Sequence, residues 1–146
     1  MTIDEVLVEA RSGLARLGPQ QAAEAMRAGG RLVDIRPEFQ RRADGEIPGA
    51  IVIERVHLEW RLDPTSQGRI PEAVDHDEVW VVLCDEGYSS SLAAASLHAI
   101  GLRRATDVVG GFRAWRSAAL PINRPAAPTA PRLFSPGPPS TAPPTP

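Results

Sequence analysis

Cys84 is the only cysteine in the 146-residue chain, and its setting is that of a nucleophile. It heads the loop Cys84-Asp85-Glu86-Gly87-Tyr88-Ser89, between an apolar run at 79–83 and an Ala- and Leu-rich stretch at 90–100. An unbroken apolar run has no polar face, so it reads as a strand covered on both sides, as in a parallel sheet. The stretch that follows has helix composition. Gly101 stands where a C-terminal helix glycine is expected. A strand that turns sharply into a helix aims backbone N–H groups at one point, and the helix N-terminus adds partial positive charge there. A cysteine at the strand end faces that field, which favours its thiolate. A small buried hydrophobe is the plain reading of a lone cysteine. The small and polar residues after Cys84 favour the reactive one.

A second charged group belongs to the same sheet edge. Residues 31–35 are a short apolar strand that runs into Asp34-Ile35-Arg36. In an open parallel sheet the ligand crevice lies outside the carboxyl ends of the strands, which places Asp34 and Arg36 beside the loop. Arg36 either shapes an anion site there or belongs to an ion-pair framework, with Asp34 accepting loop hydrogen bonds and Arg36 pairing with Glu38.

The elements that must hold these groups follow in order. Ile3, Val6, Leu7, Ala10 and Leu14 recur at helical spacing, so 3–14 is an amphipathic helix whose stripe packs on the domain. Pro19 sits in the first turn of a second helix over 20–28. A short helix at 37–43 precedes a turn and a strand at 50–53. Residues 54–62 read as a helical turn or two with Trp60 turned inward. Residues 63–73, with Pro64, Gly68 and Pro71, form a loop. A strand at 106–109, a tight Gly110-Gly111 turn and a helix at 112–119 complete the pattern. This alternation gives an α/β fold, a mostly parallel sheet of about five strands with helices on both faces.

Four segments in this order resemble the single-domain rhodanese-like sulfurtransferase family: LVDIR at 32–36, GEIPGA at 45–50, the Cys84 loop, and DVVGGFRAW at 107–115. Glu46 stands where the family usually has histidine, which implies the loss of a loop contact. The resemblance implies a rhodanese-like fold and a cysteine that takes a sulfane sulfur as a persulfide. The donor would be thiosulfate or a persulfide. The acceptor would be a thiol, cyanide or a protein sulfur carrier. Cys84 is then catalytic. The N–H cup of Asp85, Glu86, Gly87, Tyr88, Ser89 and Ser90 would hold the sulfur anion, with Arg36 as a further binding group and Asp34 as a structural neighbour. The Ser89 and Ser90 hydroxyls are candidates for a sulfonate oxygen, and one of them for the helix N-cap. Asp85 and Glu86 place two negative charges beside the thiolate, so weak use of thiosulfate is expected.

Composition narrows the rest. A formal charge of −2 gives no basic footprint for nucleic acid. One cysteine forms no internal disulfide and fits a reducing compartment. No run approaches membrane-spanning length and no secretory signal core is present, so a soluble cytoplasmic protein is expected, without metal or cofactor. The expected organisation is an N-terminal helix at 1–16, the domain at 17–124 and a tail at 125–146, where nine of twenty-two residues are proline. A phosphatase of Cys-x5-Arg type is excluded, because Ser90 stands six residues after Cys84. A catalytically weak module that binds partners stays open, as does a redox sensor using an external thiol.

Overall fold

The computed structural model describes residues 1–123; the proline-rich stretch at 125–146 lies outside them. The sheet is built around β3 (Trp80–Leu83), whose four residues are fully buried. β1 (Arg31–Asp34) pairs with one side of it and β4 (Thr106–Asp107) with the other, while β2 (Ile51–Val52) lies outside β1. Every pairing is parallel and the order is β2-β1-β3-β4. Leu17 adds a parallel bridge to Val108 beyond β4, so the expected five-strand sheet is four strands and a one-residue extension.

Alternation along β3 distributes two cores. Trp80, Val82 and Cys84 face the same side as Val33, Leu58, Leu62, Ala94 and Leu97, so they pack under α4 (Leu58–Leu62) and α5 (Ser89–Ala99). Val81 and Leu83 face the side of Leu32, Ala22, Phe112 and Trp115, under α2 (Pro19–Arg27) and α6 (Gly111–Ser117). Two apolar faces explain why the β3 sequence shows no polar alternation. α1 (Ile3–Arg11) lies outside this sandwich against α5. Its Thr2 hydroxyl caps the start by accepting the Glu5 N–H at 3.1 Å. α2 starts at Pro19, where a missing N–H costs nothing. No helix among the described residues is long and apolar enough to cross a membrane.

α3 (Glu38–Asp44) and the turn after it differ from expectation in one contact. Glu46 makes an ion pair with Arg41 at 2.6 Å, and its backbone bridges Asn123. Glu46 thus has side-chain and main-chain partners of its own in this turn. Trp60 is also not turned inward; it is 52% exposed. Leu58 and Leu62, one helical turn apart, take the buried face of α4, and a residue midway between them points away. Leu62→Ala is expected to cost about 2–5 kcal/mol. Trp60→Ala should stay within about 0.5 kcal/mol. Urea unfolding followed by far-UV circular dichroism measures both, and equal losses would contradict this packing.

Candidate active site

Cys84 follows directly on β3 and is 6% exposed. Its Sγ accepts the Gly87 N–H at 3.1 Å and the Ser90 N–H at 3.4 Å. These two amides come from the loop and the first turn of α5, so the sulfur sits at the positive end of that helix. Among the described residues the amides of Glu86, Tyr88 and Ser89 donate to no protein acceptor. Two main-chain donors thus converge on one sulfur, an arrangement suited to an anion.

The loop is held from outside by α6. The Phe112 N–H donates to the Cys84 carbonyl at 2.8 Å and the Arg113 N–H to the Asp85 carbonyl at 3.1 Å. Such close approach dictates glycine. Gly87 has φ +89° and a Cβ there would lie 2.7 Å from the Gly110 nitrogen. Gly111 has φ +58° and a Cβ there would collide with the Cys84 carbonyl. The Gly-Gly pair after β4 thus serves contact with the reactive loop.

Two buried aspartates flank the cysteine strand. In register, Asp34 of β1 lies opposite Leu83, and Asp107 of β4 opposite Val82. Asp34 binds Arg36, with Nη2 to Oδ2 at 2.8 Å, and both side chains have zero exposure. Arg36 also donates to the Gly45 carbonyl and stacks on Phe112 with its guanidinium carbon 3.9 Å from the ring centroid. The ion-pair framework is present, but its partners differ from expectation: Arg36 pairs with Asp34, while Glu38 pairs with Arg42. The Arg36 side chain is fully buried in this pair, yet the residue lines the cleft beside Cys84 and its Nη1 has no hydrogen-bond partner among the described residues. Asp107 accepts Arg16 Nε at 2.8 Å and the hydroxyls of Ser90 and Ser91 at 2.8 and 2.7 Å.

That last contact redirects Ser90. Its amide faces the sulfur, but its hydroxyl is committed to Asp107 and so is not aimed at a sulfonate. Neither serine caps α5, because the helix starts at Ser89 with Tyr88 as the preceding residue and no side-chain cap. Ser89 and Tyr88 are exposed at the mouth. The two loop acids separate. Asp85 is bound by Arg113 Nε at 3.0 Å, whereas Glu86 stays exposed, 4.0 Å from the same guanidinium. The hydrogen bond from Arg113 to Asp85 raises the Arg113 pKa.

A cleft of about 300 Å³ opens between this loop and the segment carrying Ile35, Pro37 and Gln40, with Cys84 in its lining. A larger cavity of about 540 Å³ lies at the amino ends of the strands, near Val79 and Thr106. The smaller one is the candidate site, because Cys84 and the loop residues Asp85, Glu86, Tyr88 and Ser89 line it. Arg11, Arg16, Asp107, Arg113 and Gln40 were not singled out from sequence. Among the described residues no group of three or more His, Cys, Asp or Glu could hold a metal ion.

Residues 18–118 match the family model described as rhodanese-like domain. The thiosulfate sulfurtransferase GlpE of Haemophilus influenzae is 35% identical over 105 residues, 72% of this chain and 90% of its own length. GlpE of Pseudomonas entomophila is 35% identical over 106 residues, 73% of this chain and 88% of its own length. Among solved structures, a Rhodopseudomonas palustris protein of unknown function, named as a possible tyrosine phosphatase, superposes with TM-score 0.76 at 34% identity. That match covers 84% of this chain and 95% of the other. The polysulfide-sulfur transferase homodimer of Wolinella succinogenes shares the fold with TM-score 0.62 at 19% identity, over 82% of this chain and 85% of its own.

Removing one partner of a sealed ion pair leaves the other charge buried. Arg36→Met is therefore expected to destabilise the protein by about 3–5 kcal/mol. Thermal and urea unfolding read this. A variant as stable as the parent that had lost only donor affinity would instead mean that Arg36 meets the ligand directly.

Proposed function

This chain belongs to the rhodanese-like family, and from that premise we propose that it is a sulfurtransferase carrying a sulfane sulfur as a persulfide on Cys84. The observation that carries the reading is the pair of amides on Sγ at the mouth of a cleft. Preorganised donors stabilise charge without reorganising during the reaction. The Cys84 thiolate attacks the outer sulfur of thiosulfate. A new S–S bond forms, the old one breaks, and sulfite leaves with the bonding pair. The persulfide anion rests among the Glu86, Tyr88 and Ser89 amides. Cyanide then takes the outer sulfur as thiocyanate, or a thiolate takes it as a new persulfide, and Cys84 returns as thiolate. Charge balances in each step, so no cofactor is required. The names of the GlpE relatives support thiosulfate as one donor. The Cys-x5-Arg clamp of a phosphatase has no counterpart here, since Ser90 occupies the arginine position and is bound to Asp107.

The expectation of weak thiosulfate use counts the charges of Asp85 and Glu86, and that of Asp85 is paired with Arg113. Glu86 is the charge left facing an anionic donor.

Incubation with thiosulfate or a small persulfide should add one sulfur atom to the intact mass. Cys84→Ser should add none, and cyanide should remove it. No gain with either donor would favour a partner-binding module. Arg113→Ala uncovers Asp85 and should lower kcat/KM for thiosulfate roughly three- to fivefold at low salt, with a smaller effect for an uncharged donor and partial recovery at high salt. Equal losses for both donors would remove the electrostatic explanation.

A further inference from the structure

The Gly87 carbonyl points away from the sulfur that the Gly87 amide binds, and two guanidinium groups meet it there. Arg11 Nη2 donates to it at 2.7 Å and Arg16 Nη2 at 3.0 Å. Arg11 Nε also donates to the Ser91 hydroxyl at 3.0 Å, and Arg16 is paired with Asp107. Arg11 further lies 5.7 Å from the centroid of the Tyr88 ring. Arg16 is thus neutralised by Asp107, whereas among the described residues no carboxylate lies within ion-pair distance of Arg11. Both arginines precede the segment 18–118 that matches the family model.

We propose that Arg11 and Arg16 are positioning residues that clamp the Gly87 carbonyl and thereby hold the two amides on, and favour the anionic form of, the Cys84 sulfur. This deepens the sulfurtransferase reading and rests on it only for the reaction served. The clamp works in two ways. It fixes Gly87 in its left-handed conformation, φ +89°, which turns the N–H to the sulfur and the carbonyl to the arginines. Cationic donors on that carbonyl also polarise the peptide unit whose N–H belongs to Tyr88, strengthening it as a donor. The other charged groups around the sulfur are arranged so that the charge of Arg11 is felt. Asp34 is neutralised by Arg36 and Asp107 by Arg16, while Arg113 meets both loop acids, Asp85 at 3.0 Å and Glu86 at 4.0 Å. Glu86 is exposed and screened by solvent, whereas Arg11 Nη2 touches the loop backbone directly.

The test measures the rate of Cys84 alkylation by iodoacetamide against pH in the full chain, which reports thiolate whatever the protein does with sulfur. Arg11→Met leaves the Arg16–Asp107 pair intact and should keep its fold. Its pH–rate curve should move to higher pH, with the rate at neutral pH falling roughly three- to tenfold. Arg11→Lys, which restores the charge, should recover most of the loss. Arg16→Gln alone strands Asp107, so the double variant Arg16→Gln with Asp107→Asn is used; it removes a neutral pair together with one contact to the Gly87 carbonyl and should shift the curve in the same direction by less than Arg11→Met does. A curve superimposable on the parent's, or a uniform fall at every pH without a shift, overturns the clamp. Sulfur uptake by intact mass is run in parallel on the parent. Uptake with an unmoved Arg11→Met curve sinks the clamp alone, and a shifted curve without uptake sinks sulfur carriage alone.

Discussion

The structure depends on holding one sulfur where main-chain hydrogens converge. An amide hydrogen bond to sulfur is individually modest, and a single one would leave the anion exposed to competition from water. Two from one tight turn, backed by the end of an eleven-residue helix, act together because the backbone that carries them cannot relax. Most of the surrounding peculiarities follow from keeping that turn rigid. Helix α6 binds the carbonyls of Cys84 and Asp85, glycine occupies the points of backbone contact, and α1 presses on the loop from the far side.

The sheet edge is arranged around the same need. Aspartates at the ends of β1 and β4 bracket the cysteine strand, and each is satisfied by an arginine from a different part of the chain. Buried ion pairs of this sort add little net stability compared with apolar packing. Their gain is geometric. Asp34 fixes the segment that forms one wall of the cleft, and Asp107 gathers Arg16, Ser90 and Ser91 beneath the other. A hydrophobic replacement would fill the space without directing any hydrogen bond.

What the sequence made legible was local. The apolar run before Cys84, the helix after it and the Gly-Gly turn all follow from neighbouring residues, and each forms where its composition requires. The four resembling segments extended this to the family. Long-range pairing was not legible. Arg16 and Asp107 are 91 positions apart, and Arg11 and Ser91 are 80 apart. An arginine near the end of an amphipathic helix reads as a solvated charge unless the surface it meets is known. One signal was present: Asp107 interrupts an apolar stretch at the end of a strand, where a carboxylate needs a partner. Asp85 shows the same limit, since its charge looked repulsive until Arg113, 28 positions on, was seen beside it. Trp60 marks a different limit: the phase of the α4 helix, which Leu58 and Leu62 decide, turns it outward.

The margins of the sheet have a consequence of their own. β2 and β4 are two residues each, and among the described residues only Leu17 continues the ladder beyond β4. A parallel sheet with long bare margins offers backbone donors and acceptors to any stray strand, which is how cross-chain stacking begins. Here most of the inter-strand bonding is confined to the interior pair, β1 and β3, and the outermost rows are too brief to serve as a template. Where the strands stop thus limits how much backbone the sheet margins offer to another strand, independently of the chemistry at their ends.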